Sequence, residues 1–152
     1  MKKAKPIKEL SVDDEVATPA IDPAIPHRYG HPLDVWEAAK AELLEVLIWH
    51  ARVKDLPNYN ELAAELKTLK FEPGSHALND LLTELTASED AAGHGLIGAL
   101  AISKKTGRPG VGFLNQALKL GRQFDPRNPA QCEKMWRAEV THVRDYWKDL
   151  DL

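Results

Sequence analysis

The chain of 152 residues contains a single cysteine, Cys132, so it can close no internal disulfide and build no all-cysteine zinc cage. That inventory suits a reducing compartment, and a cytoplasmic location is the expectation. Long apolar runs are missing too: none approaches the roughly 18 residues that span a bilayer, so no membrane-crossing helix is expected. The start Met1-Lys2-Lys3-Ala4-Lys5 has the charge of a secretion signal. Pro6 and Asp13-Asp14-Glu15 follow where an apolar stretch belongs, so no signal is expected. Charge of one sign is not in excess: a formal −3 and a pI near 6.1 argue against a polycation that coats nucleic acid as a whole molecule. Internal repeats, low-complexity tracts and catalytic, metal or cofactor motifs are absent as well, so no enzymatic activity and no cofactor are expected.

What the chain does have is segregated charge. Between Leu100 and Arg127 stand Lys104, Lys105, Arg108, Lys119, Arg122 and Arg127 against one acid, Asp125. Five net positive charges in that stretch leave the remainder at −8, given −3 for the whole. The length is enough to bury about 70% of the surface the unfolded chain exposes.

Residues 1–32 carry Pro6, Pro19, Pro23, Pro26 and Pro32 with little periodic hydrophobicity and read as an extended arm. Residues 33–152 read as one helical domain. Pro32 and Asp34 favour a helix start, and Trp36, Ala39, Leu43 and Leu47 keep helical spacing to about Val53. Asn58 with Glu61 forms a capping box for a short second helix. Ser75 caps a third, with Leu78, Leu81, Leu82 and Leu85 on one face, ending near Gly93.

The compact apolar run Leu96 to Ile102 reads as a strand, although its alanines and leucines also favour helix. Lys104-Lys105-Thr106-Gly107 supplies a hairpin turn and Val111 to Phe113 a short return strand, which Pro109 restricts to an edge. Phe113 to Leu120 forms a short helix closed by Gly121. Asn128, Pro129 and Gln131 open a last helix with an aromatic face, Trp136 to Leu150.

Several constellations have a bland reading that outweighs the sharp one. His27, His31 and Asp34 have ligand chemistry but no clear fourth ligand, so no metal site is assigned. His76 and Asp80 are one helical turn apart without a nucleophile, and Ser75 is explained as a cap. Cys132 fits a small packed residue. Gly107-Arg108-Pro109-Gly110-Val111-Gly112 lacks the Gly-Lys-Ser/Thr ending of a phosphate loop and reads as a turn. Core packing accounts for most of Trp36, Trp49, Trp136 and Trp147, while Trp147, among Arg144, Lys148 and Asp149, is the best interface anchor.

The order of elements, with Tyr59-Asn60-Glu61-Leu62-Ala63, Leu96 to Ile102 and Lys105-Thr106-Gly107-Arg108-Pro109-Gly110-Val111-Gly112-Phe113, resembles a winged helix-turn-helix module. That module occurs in uncharacterised bacterial proteins and beside some HNH-type restriction endonucleases; the likeness covers residues 56–121. It is also loosely similar to the winged-helix part of alkylguanine-DNA alkyltransferases. The Pro-Cys-His-Arg reactive site of the latter is absent, as is the separate catalytic domain of the nucleases, so neither activity is implied.

The resemblance implies a mainly α fold with a small β-hairpin: a winged-helix-like core with a long first helix and an added C-terminal helix. In that fold the third helix would enter the major groove, yet it holds Asp80, Glu84, Glu89 and Asp90 and no cation, which phosphates repel. Duplex DNA is therefore expected at Lys104, Lys105 and Arg108, joined by Lys119, Arg122 and the lysines of the arm. The same cations also suit a solvated surface. The rival reading is a protein-interaction or regulatory module whose contact surface is the acidic third helix and aromatic last helix, with Trp147 as anchor; segregated charge also permits self-association, basic hairpin to acidic helix.

Overall fold

Caps fix where most helices of this protein begin. The computed structural model describes residues 27–72 and 74–149, and the chain divides into two compact units between Glu37 and Ala38. Residues 1–26, most of the expected arm, lie outside the described residues.

In the first unit, β1 (His27–Arg28) and β2 (His31–Pro32) pair antiparallel across Tyr29 and Gly30. Both turn residues have positive φ, 51° and 84°, the signature of a two-residue turn whose twist matches the flanking strands. Tyr29 stacks on Trp36, ring centroids 5.8 Å apart. Trp36 belongs to the opening turns of α1 (Leu33–Val53), which runs on into the second unit.

The second unit is helical: the rest of α1, then α2 (Tyr59–Glu65), α3 (His76–Ala91), α4 (Val111–Lys119) and α5 (Pro129–Trp147). The expected caps are in place. Asn58 accepts from Glu61 N–H while the Glu61 carboxylate accepts from Asn58 N–H. Ser75 accepts from Leu78 N–H, and Asn128 accepts from the amides of Ala130 and Gln131, each satisfying a donor the helix leaves over. Gly121, with φ 94°, follows α4 as expected.

The run from Leu96 to Ile102 corrects the sequence reading. It is a 3-10 helix, Ile97–Leu100, with one ladder contact at its end, Ile102 beside Asn58. A half-buried strand alternates its exposure, but Leu96 to Ala101 are buried without a break because α3 packs on one side and α5 on the other. Trp136 Nε1 donates to the Ala99 carbonyl at 2.8 Å. Ile102 N–H donates to Pro57 O at 3.0 Å.

Gly98 permits this seating: a Cβ there would stand 2.7 Å from Thr86 Oγ1. The return strand expected at Val111 to Phe113 is instead the first turn of α4, opened by Gly110. Pro109 has no N–H for a ladder and presets a turn, so the helix starts at once. The small β-hairpin of the described residues is thus at 27–32, not at 96–113.

Candidate nucleic-acid interface

The loop between Ser103 and Arg108 turns its backbone polar groups inward. Ser103 N–H donates to Arg108 O and Gly107 N–H to Ser103 O, both at 2.8 Å. Thr106 Oγ1 donates to Arg108 O and accepts from Arg108 N–H. Gly107 supplies the positive φ, 69°, that closes the ring. The loop keeps the outline of a hairpin tip although neither flank is a strand. Its self-contained bonding leaves Lys104 and Lys105 exposed, and neither is in an ion pair with another described residue.

Two shallow grooves adjoin the loop. One, of about 200 Å³, is lined by Lys104, Lys105, Ser103, Asn58, Asn60 and Tyr59 with Gly74. The other, of about 340 Å³, includes Asn79, Thr83, Gln116, Gly110 and Gly112. They share Tyr59 and Gly74, so the lysines, Asn58, Asn60 and the Tyr59 phenol border a surface that runs on to the apolar floor of Leu82, Val111 and Phe113. Burial pushes the Tyr59 phenol above its usual range, against the opposing pull of the Gly110 backbone N–H; Tyr59 therefore stays neutral near pH 7.

The other expected cations have different surroundings. Arg108 is exposed but bonds Glu133 at 2.6 Å, and Glu133 also takes Arg137 at 2.5 Å. The two guanidinium groups hold its carboxyl below the usual range. Lys119, exposed at the far end of α4, is about 13 Å of helix from the loop.

Arg122 does not join the surface cations. Its Nη2 bonds Asp90 at 2.7 Å and its Nε bonds Glu139 at 3.0 Å, while Nη1 reaches the Leu120 carbonyl. Glu139 accepts in turn from the buried Leu96 N–H. The carboxylates of Glu139 and then Asp90 hold Arg122 charged even more firmly than usual. It ties α3, α5 and the 3-10 helix together.

Trp147 is 7% exposed, inside a ring cluster where Tyr146 stacks on His94 with centroids 4.0 Å apart. The exposed tryptophan is Trp49, at 56%, so the surface anchor expected at Trp147 is corrected: that indole is packed away. The acids of α3 are engaged as well. Glu84 pairs with Lys40, Glu89 with His94 and Asp90 with Arg122, leaving His76, Asn79, Asp80 and Thr83 on the exposed side.

Among the described residues, no three His, Cys, Asp or Glu side chains cluster as metal ligands, and no helix is long and apolar enough to cross a membrane. Sequence reasoning missed Tyr59 and Trp49. Nothing local signals the approach of Tyr59 to Gly110, but Trp49 falls on the outer row of α1 with Glu45 and Arg52, which spacing alone reveals. No protein-family model, curated protein or solved structure matches this chain.

Proposed function

We propose that the protein is a non-enzymatic binding module that contacts the phosphates of duplex DNA through the loop carrying Lys104 and Lys105. The observation that carries this reading is the pair of adjacent exposed lysines on a loop closed by its own backbone bonds. They border a shallow groove together with Asn58, Asn60 and Tyr59. Cations held at a rigid edge suit phosphate positioning, and amides beside them suit hydrogen bonds to the sugar–phosphate backbone. Arg108 is paired with Glu133 and Lys119 stands at the far end of α4, so the contact rests on Lys104 and Lys105, whereas Arg122 is taken up inside the fold. The lysines of the arm are assigned the same role from sequence alone.

The helix order supports a helix-turn-helix-like reading, with residues 103–108 in the wing's place as a loop that lacks the two strands of a wing. The connection from Leu66 to Ser75 is longer than the three or four residues of a standard helix-turn-helix. It supports contact through the loop rather than insertion of α3. A rival interface on the acidic third helix and aromatic last helix has less support, because those acids are paired and Trp147 is covered.

Fluorescence anisotropy with a labelled duplex at about 50 and 200 mM salt tests the proposal. Neutralising two phosphates gives a slope of log affinity against log salt of about −1.8 from this loop. Lys104→Glu with Lys105→Glu should abolish that share of binding. Absence of binding at the lower salt, or equal binding by the double variant, refutes it.

A further inference from the structure

The outer row of α1 carries an apolar stripe that nothing among the described residues covers. Trp49 is 56% and Val53 48% exposed, with Val46 half-buried one turn before. These positions share one side of the helix. The indole is itself one wall of an open groove of about 380 Å³ whose other walls are Val46, Ala64, Glu65 and Lys67. An exposed tryptophan that walls an open groove on the same face can serve as both knob and hole, as a two-fold contact requires.

Charge on the same side of α1 selects the occupant and its direction. Glu45 precedes Trp49 by one turn, and Arg52 follows by about one; both are exposed. In a parallel pair the two Glu45 carboxylates would face each other and repel. In an antiparallel pair with its two-fold axis at Trp49, Glu45 of one copy lies opposite Arg52 and Val53 of the other, twice over. Arg52 is already steadied for this, since its Nε donates to Trp147 O at 3.0 Å.

From this pattern we infer that a second copy of this chain docks antiparallel on α1, each Trp49 indole entering the other's groove beside Ala64 and Glu65. The stripe is small for an interface, so the dimer is weak and concentration-dependent.

Sedimentation velocity from about 10 µM to 1 mM tests association: wild type should shift from monomer toward dimer, and Trp49→Glu should stay monomeric at every concentration. Circular dichroism of the variant should match wild type, because the side chain replaced is exposed. Direction is tested by disulfide trapping in a Cys132→Ser background. Chains with Glu45→Cys and chains with Val53→Cys should cross-link when mixed, and neither should cross-link with itself. A wild type that is monomeric throughout, a Trp49→Glu chain that associates equally well, or trapping of Glu45→Cys with itself overturns the inference.

Discussion

Arg122 and the pair Lys104–Lys105 come from the same basic stretch and have opposite fates. Lys104 and Lys105 stand on a loop whose backbone bonds are satisfied within itself, so their ammonium groups belong to the solvent side. Arg122 lies among two carboxylates and a carbonyl, so its charge is spent on holding helices together. A count of positive residues treats the three alike. What separates them is whether a carboxylate from a distant part of the chain arrives beside them.

The sharpest way to break this contrast is Arg122→Ala. It leaves Glu139, which is buried, and Asp90 without their cation, and removing one member of such a pair costs about 3 kcal/mol. Urea unfolding should show it directly, whereas Lys104→Ala with Lys105→Ala should stay within about 0.5 kcal/mol of wild type. If the two variants lose equal stability, the division into structural and surface cations fails.

Gly98→Ala comes next. Its Cβ meets Thr86 Oγ1 at 2.7 Å, and such overpacking costs about 1–3 kcal/mol. Pairing it with Thr86→Ser would not relieve the clash, since the hydroxyl remains; Thr86→Ala should recover part of the loss in the same measurement.

A smaller, pH-dependent effect belongs to His50. It is buried, with Nδ1 on Asp55 at 2.5 Å and Nε2 on Glu65 at 2.8 Å. Burial lowers its pKa, but the bonds to Glu65 and Asp55 outweigh this and raise it above the ordinary 6.5. The imidazolium is therefore favoured by folding. Its contribution is fully present below about pH 6.5 and is lost as pH rises through the raised folded-state value. Urea midpoints measured from acidic to mildly alkaline pH should fall across that window, and His50→Gln should flatten the fall.

The helix starts were legible because their causes are local. Asn58 with Glu61, Ser75 and Asn128 with Pro129 each satisfy amides within three residues, and the chain spells them out. Leu96 to Ala101 was not legible as a 3-10 helix, because a short apolar run meets the needs of any fully buried segment. The decision came from Trp136 and Thr86, both distant in sequence. Arg122 was hidden for the same reason: Glu139 is 17 residues away and Asp90 is 32. The exchange of roles between Trp49 and Trp147 was half legible, since Trp49 lies off the Leu43–Leu47 row, while the cover over Trp147 depends on His94.

The seating of Leu96 to Ala101 between α3 and α5 also bears on how the chain is made. A ribosome delivers α1 to α3 and this apolar segment before the residues of α5 that cap it. During that interval six consecutive buried-type residues lack half of their cover, with the Ala99 carbonyl waiting for the Trp136 indole. Nascent chains truncated before Pro129 should therefore be stickier and more dependent on chaperones than the finished protein.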